Sequence, residues 1–385
     1  MTPKPTKSKL RIGLVVPHIF LHRSILPQVI FSPGQLVIDL AQGLQALGAD
    51  ITLFSPGPVD VNVRNVTADL TLFEQELTGR GATYIDLLKK HPFTFVTLAR
   101  QVQAELIASA YAMAERGELD VVHIYTNEED TALPFAELCH KPVVFTHHDP
   151  FNFLVKYKNV FPKYKHLNWV SMSLAQRSGM PSGTNWVANI YHGLDPQRFT
   201  PPNNPAGNYI AYLGRIIQPK GLHLAIAAAK KAGLRLKIAG KHYTGQKDAY
   251  WREGIEPELG GLIDYVGFIK TDAQKQEFLG NAAALVVPSL FDEPFGMVSI
   301  EALACGTPVI GLASGAIPEV ITHGQNGLLV QKASEPVMVA DLAGAMQDVG
   351  KISRAQARAS FEWQFTLQRM CKQHLLLYNK IMVDV

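Results

Sequence analysis

Two glutamates with seven residues between them, Glu293 and Glu301, stand in the segment from Pro288 to Pro308, PSLFDEPFGMVSIEALACGTP. Val286 and Val287 before it read as the end of a strand, and Met297 to Ala304 as a helix. Glu293 therefore falls in the loop leaving the strand, Gly296 at the helix start, and Glu301 a little over one turn inside. A helix N-terminus offers unpaired N–H groups and the positive end of a dipole, which suits a diphosphate. Glycine at that point lets phosphate oxygens approach the backbone. The two carboxylates could then hold hydroxyl groups on either side of the phosphates. A capping acid and a solvated helix glutamate are the plain alternative.

Arg215 and Lys220 lie in Leu213–Gly221, LGRIIQPKG, between a strand at Tyr209–Leu213 and a helix at Gly221–Lys231. Both cations emerge at a sheet edge. A departing diphosphate gains negative charge, which Arg215 can fork at two oxygens while Lys220 adds a point charge. Fixed charges aimed at a leaving group act chiefly in the transition state. No acidic pair with Asp-x-Asp spacing stands out as a metal site, so the expectation is metal-independent chemistry with no cofactor. Two ordinary solvated cations are the alternative. In the first half, Phe145-Thr146-His147-His148-Asp149 closes a strand, and the C-terminal end of a strand is a favoured place for ligands in open α/β sheets.

These residues need elements to hold them. Leu10–Pro17 reads as a strand, Gln35–Leu47 as a helix stopped by Gly48, and Ile51–Phe54 as the next strand. Val121–Tyr125 and Val143–Thr146 add two more strands, with a helical stretch between them. After the break PQRFTPPNNP at Pro196–Pro205 the plan restarts, with further strands at Leu234–Ala239, around Val286–Val287 and at Pro308–Gly311. Such β-α-β units require parallel sheets with right-handed crossovers. The boundaries predicted are 1–195 for a first domain, 196–353 for a second, and 354–385 for a helical strap packing back on the first. The two halves imply a cleft between facing sheet ends.

The 385 residues, 47% hydrophobic and 18% charged, fit a globular α/β protein of two domains. Three scattered cysteines, Cys139, Cys305 and Cys371, exclude a disulfide framework and lack zinc-ligand spacing. No apolar stretch precedes a cleavage site, and none approaches the roughly 20 residues that span a bilayer. The expectation is a cytoplasmic protein. A net charge of +3 names no nucleic-acid partner, though it permits weak docking at the inner face of a membrane. The run Lys156–His166, KYKNVFPKYKH, interleaves bases and aromatics; it reads as a solvated amphipathic face, with a lipid- or nucleic-acid-gripping surface as the alternative.

The stretch Pro288–Pro308 resembles the family-4 retaining glycosyltransferases of the GT-B fold, whose pattern runs PS-x-x-E-x-F-G-x-x-x-x-E-A-x-A-x-G-x-P-V. Pro288, Ser289, Glu293, Phe295, Gly296, Glu301, Ala302, Gly306 and Pro308 match it. The resemblance implies two Rossmann-like domains facing across a cleft, an acceptor-binding one over 1–195 and a nucleotide-sugar-binding one over 196–353. It implies that Glu293 contacts the donor sugar and Glu301 the ribose, with Phe295, Gly296, Met297 and Val298 also at the donor. The family's G-R-x-x-x-x-K-G corresponds to Gly214–Gly221 and implies the phosphate roles of Arg215 and Lys220. Members place a histidine after T-x-H, making His148 the match and His147 the reserve, as a hydrogen-bonder of the sugar rather than a general base. Ser314–Glu319 resembles the G-G-x-P-E turn, with Ala316 for the second glycine, and reads as a backbone lining of the donor site or as a plain turn. Phe268 occupies the stretch that borders the base in relatives, although a core aromatic is the preferred reading.

The first loop departs from the pattern. Relatives open their first helix with Gly-Gly, whereas His18–Pro33 here leads into Gly34-Gln35. Gly34 is expected to offer its N–H to the phosphates, and the long loop hints at acceptor recognition. His192-Gly193-Leu194-Asp195 stands where relatives have N-G-x-D and reads as a hinge. Together these features imply hexosyl transfer, from UDP-glucose or next GDP-mannose, to a small-molecule, lipid or glycan hydroxyl, by a front-face reaction with no protein nucleophile. A sugar-nucleotide-binding protein without turnover and a nucleotide-sugar epimerase are the rivals. No Gly-x-Gly-x-x-Gly follows either opening strand, which disfavours a dehydrogenase.

Overall fold

The computed structural model describes residues 9–26, 31–126, 129–152, 154–242 and 248–383. The chain forms two compact units, one of residues 1–172, 177–190 and 367–385, the other of 173–176 and 191–366. Residues 27–30 of the long first loop lie outside the described residues.

In the first unit seven parallel strands lie in the order β3-β2-β1-β4-β5-β6-β7: β1 (Arg11–Val15), β2 (Asp50–Ser55), β3 (Arg64–Thr67), β4 (Val121–Thr126), β5 (Val143–His147), β6 (Asn168–Ser171) and β7 (Trp186–Asn189). The runs of β1, β2 and β5 are almost wholly buried, as expected of a sheet covered on both faces. Six helices belong to this stretch: α1 (Ser32–Ala46), α2 (Thr71–Arg80), α3 (Tyr84–Lys90), α4 (Pro92–Glu115), α5 (Leu133–Ala136) and α6 (Val155–Val160). Pro33 sits in the first turn of α1, where its missing N–H costs nothing. Thr83 and Asp86 form a reciprocal capping box that starts α3.

In the second unit six parallel strands follow the order β10-β9-β8-β11-β12-β13: β8 (Ile210–Leu213), β9 (Leu236–Ala239), β10 (Ile263–Gly267), β11 (Ala284–Val287), β12 (Val309–Leu312) and β13 (Gly327–Val330). Its helices are α7 (Leu222–Ala232), α8 (Asp272–Gly280), α9 (Met297–Ala304), α10 (Ile317–Val320), α11 (Glu335–Asp348) and α12 (Arg354–Gln364). The order reverses between β8 and β11. At such a switch point the loops leaving neighbouring strands diverge and open a crevice.

The last helix, α13 (Leu367–Val383), belongs to the first unit, whereas α12 belongs to the second. The strap expected over 354–385 therefore divides at Thr366, and the change of unit placed at 195 falls at Ile190–Tyr191. The reason is local: Leu194 donates its N–H to the carbonyl of Phe365 at 2.9 Å, tying the stretch after 190 to the end of α12. Met370, Cys371, Leu377, Tyr378 and Ile381 of α13 enter the same core as Leu14, Val37, Leu40 and Leu44. Gly43 on α1 makes room for this packing, since a Cβ there would overlap the Cys371 sulfur. Among the described residues no helix is long and apolar enough to cross a membrane.

Polar pairs seal α13 to the sheet. Tyr378 Oη lies 2.7 Å from His123 Nδ1, and His123 Nε2 lies 2.8 Å from Thr146 Oγ1. His374 Nε2 lies 2.6 Å from Tyr125 Oη, while its Nδ1 donates to the carbonyl of Met370. Burial lowers the His374 pKa to about 4 against the opposing bond to Met370, and burial also drives His123 down, helped by the neighbouring His374 and His148. A lowered histidine pKa means that the unfolded chain binds the proton more readily. The stability it contributes is complete above about pH 6.5 and is lost as pH falls toward 4, about 3 kcal/mol for His374 alone. Urea unfolding between pH 7 and 4 is expected to show this slope and His374→Gln to flatten it; equal slopes would remove His374 from the account.

Candidate functional site

The loops that leave β8 and β11 meet at the switch point of the second unit. Their backbones are joined: Leu290 donates its N–H to the carbonyl of Pro219 at 2.9 Å, and Gly221 packs so closely on the carbonyl of Pro288 that a Cβ would overlap it. Gly221 also has φ +69°, a conformation glycine adopts freely. These contacts set the side chains opposite one another. Lys220 Nζ lies 2.5 Å from Glu293 Oε1, and Ser289 Oγ donates to the same oxygen at 2.5 Å. Lys220 Nζ also lies 4.7 Å from the centre of the Phe291 ring. The pair is largely buried, with side-chain exposures of 21% for Lys220 and 8% for Glu293. Arg215 is exposed on the same loop as Lys220 and makes no side-chain hydrogen bond or ion pair with another described residue.

Gly296, with φ +92°, starts α9, and no side chain caps the helix. The first-turn N–H groups of Met297 and Val298 have no acceptor within the helix, and both residues are half-buried. Glu301 stands further along α9. Its Oε1 accepts from Lys275 Nζ on α8 at 2.7 Å, while its Oε2 is buried without a hydrogen-bond partner among the described residues. Ser299 Oγ is likewise buried and unpartnered.

The turn after β12 closes the loop from below. Ser314 donates to the carbonyl of Phe291 and to Asp292 Oδ1, Ala316 donates its N–H to the carbonyl of Glu293, and Gly315 lies against the backbone of Asp292 and Glu293. Burial works to raise the Asp292 pKa, but Ser314 and Lys332 outweigh it and hold that carboxyl below its ordinary value. Sequence reasoning missed the role of Glu319. Its carboxylate accepts from the backbone N–H groups of Leu174 and Ala175 at 2.8 and 2.7 Å and from Tyr191 Oη at 2.9 Å. Ser173, beside them, donates to the carbonyl of Pro294 at 2.7 Å. Glu319 thus fastens residues 173–176 beside the Glu293 loop, a contact across some 145 positions that no local signal announces.

Several expectations change. Phe295 is 2% exposed and packs on His192, Tyr191 and Phe365, with ring centres 4.9, 6.0 and 6.0 Å away, so its ring belongs to the core and leaves only its backbone to face a donor. His192, read as part of a hinge, is buried in that packing. Gly34 gives its N–H to the carbonyl of Phe31, and Leu21, Leu26 and Phe31 close over its α-carbon, so it presents no N–H to a phosphate. Phe268, read as a core aromatic, is exposed and lines a cavity of about 500 Å³ with Tyr209, Lys237 and Glu277.

In the first unit His147 ends β5 and is buried among Phe151, Tyr157 and Phe161, which removes the reserve candidate. His148, the next residue, is half-buried, its ring centre 5.9 Å from that of Tyr125. Tyr157 and Phe161 of the basic run stack in the core at 4.8 Å, with Lys158, Lys163 and Lys165 outside or partly so; the run is an amphipathic face.

The second unit therefore gathers a buried lysine–glutamate pair, a free guanidinium, an uncapped helix start and a second glutamate around one switch point. That set can neutralise a diphosphate and accept hydrogen bonds from hydroxyls. Among the described residues no group of three or more His, Cys, Asp or Glu could hold a metal ion.

Residues 195–360 match the family described as glycosyl transferases group 1. The chain is 31% identical to a D-inositol 3-phosphate glycosyltransferase of Mycolicibacterium smegmatis, over 51% of this chain and only 48% of that relative. It is 27% identical to a phosphatidyl-myo-inositol mannosyltransferase of the same organism, over 92% of this chain and 90% of that one. With the glycogen synthase of Mycobacterium tuberculosis the identity is 25%, over 88% and 89% of the two chains. Among solved structures, sucrose-phosphate synthase from Thermosynechococcus elongatus superposes with a TM-score of 0.71 at 19% identity, covering 98% of this chain and 100% of that one. Anabaena HepE, solved with UDP and glucose, gives 0.67 at 16% identity, over 96% and 100%.

Proposed function

We propose that this chain, a group 1 glycosyltransferase with the GT-B fold, transfers a hexosyl group from a nucleoside-diphosphate sugar to a hydroxyl acceptor with retention at the anomeric carbon. The observation that carries the reading is the Lys220–Glu293 pair beside the uncapped start of α9. Lys220 and Arg215 neutralise the departing diphosphate, and the N–H groups of Met297 and Val298 receive its oxygens. Glu293, already anchored by Ser289, turns its carboxylate to the sugar hydroxyls when the phosphates draw Lys220 away. Glu301 accepts from the ribose. His148 remains the candidate of the first unit.

With two cations at the leaving group, the proposed reaction proceeds without a metal ion. The donor proposed is UDP-glucose, with GDP-mannose second; a UDP- and glucose-bound relative fold and a glycogen synthase among the relatives support the first, a mannosyltransferase the second. The acceptor is a hydroxyl of a cyclitol, a glycan or an inositol lipid, the classes that the names of the inositol-phosphate, glycogen and phosphatidyl-inositol enzymes span. Retention is supported by the family pattern around Glu293 and Glu301, and the proposed route lets the departing phosphate take the acceptor proton.

A thermal-shift panel of nucleotide sugars tests the donor: a ligand at 100 times its Kd stabilises by about 2.7 kcal/mol. NMR of the product then reads the anomeric configuration, with EDTA present in a parallel reaction. An inverted product sinks retention, loss of turnover in EDTA sinks metal independence, and isomerised donor without acceptor would point to an epimerase.

A further inference from the structure

We propose that Lys275 is a positioning residue that aims Glu301 at the ribose diol of the donor and so makes the site selective for ribonucleotides over 2′-deoxyribonucleotides. This deepens the reading of the donor site above and rests on it. The two oxygens of Glu301 are in unlike states: Oε1 is held by Lys275 Nζ at 2.7 Å, and Oε2 is buried with no partner among the described residues. A buried acceptor left unmade costs on the order of 1–3 kcal/mol, and more when charged. An ionised carboxylate only accepts, so what completes this site must bring hydrogen-bond donors. A vicinal diol brings two.

Lys275 is built for that task rather than placed by chance. It lies in the first turns of α8, whose start is fixed by the reciprocal capping of Thr271 and Gln274. Its side chain is only 24% exposed and its ammonium lies 5.6 Å from the centre of the Phe199 ring, so the stem is packed and the charge aimed inward. The neighbouring Cys305 thiol is no rival anion: burial and then the Glu301 carboxylate push it up to about 12, keeping it neutral, while Arg354 and Arg358 nearby are bound to backbone carbonyls. With Oε1 taken by a protein cation, only Oε2 remains for a ligand, and its direction is set by the ion pair. A methionine at 275 would remove the counter-charge and free the carboxylate to rotate. Selectivity would then fall, while the cations and the helix start that hold the phosphates stay in place.

The experiment is calorimetric binding of UDP, 2′-deoxy-UDP, GDP and 2′-deoxy-GDP to the full chain. For the wild type the ribonucleotide is expected to bind about 10- to 100-fold more tightly than its deoxy form, the value of one hydrogen bond to a charged group. Lys275→Met is expected to bring that ratio within about threefold, and Lys275→Arg to retain it. A folded Lys275→Met with the wild-type ratio, or a wild type that binds both forms equally, overturns the inference. Failure of the wild type to bind either UDP or GDP would instead defeat the donor reading itself. If Lys275→Met does not fold, Lys275→Met/Glu301→Gln removes both charges together and is expected to bind UDP and 2′-deoxy-UDP alike; discrimination retained there also refutes the role.

Discussion

Lys220→Met is expected to lower turnover by about 10²–10³, the range for loss of one fixed charge at a developing anion, and to destabilise the protein as well. The ion pair is the reason for the second effect: with Lys220 gone, Glu293 keeps only Ser289 as a donor to Oε1 and is a nearly buried carboxylate without a counter-charge. Breaking such a pair costs about 3–5 kcal/mol, whereas removing both charges is often neutral. Lys220→Met/Glu293→Gln should therefore regain most of the stability and none of the turnover. Arg215→Met separates the terms from the other side, because an exposed, unpaired guanidinium should cost turnover with almost no change in unfolding. Rate assays beside denaturant titrations of the four proteins decide it. Turnover of Lys220→Met within tenfold of wild type, in a folded protein, would sink the assignment.

Gly221→Ala is the second large effect, and Gly233→Ala calibrates it. The two glycines flank α7 with nearly the same backbone, φ +69° and +68°. Alanine in that conformation costs about 1–2 kcal/mol at either place. A Cβ at Gly233 meets nothing within 4 Å, so the cost ends there. At Gly221 it would overlap the carbonyl of Pro288, part of the backbone rather than a side chain that could swing aside. The β8 and β11 loops must separate, carrying Lys220 away from Glu293. The expected loss is about 3 kcal/mol or more in stability, adding overpacking to conformational strain, together with donor binding. Equal unfolding midpoints for the two variants would show that the close approach carries no weight.

What could be read in advance depended on how local each signal was. The loops at 213–221 and 288–301 announced themselves, because a strand, a turn rich in special residues and a helix follow within a few positions. The same locality misled at Phe295: an aromatic inside an informative motif looked like a ligand contact, while its packing partners Tyr191, His192 and Phe365 lie far along the chain. Gly34 misled similarly, since the residues that close over it come from the turn before α1. Glu319 stands out as the end of a turn motif but its partners do not, and Lys275 gave no warning, because the fold alone brings Leu174 and Glu301 to them. By contrast α4 was legible and passed over, for its buried Phe95, Ala99, Val102, Leu106 and Ala110 follow a helical repeat.

The return of α13 has a bearing on biosynthesis. Chains emerge from the ribosome in order, and units near the N-terminus commonly fold before those behind them are made. Here the first unit must wait: the residues that complete the core around Leu14 and Leu40, and the partners Tyr378 of His123 and His374 of Tyr125, arrive only with residues 367–383, after the entire second unit has been synthesised. Until then the part of the apolar flank that α13 covers beside α1 lies open, and truncation before Leu367 would leave it open for good. Expression of the leading stretch alone should accordingly yield aggregates, rescued by supplying the closing helix.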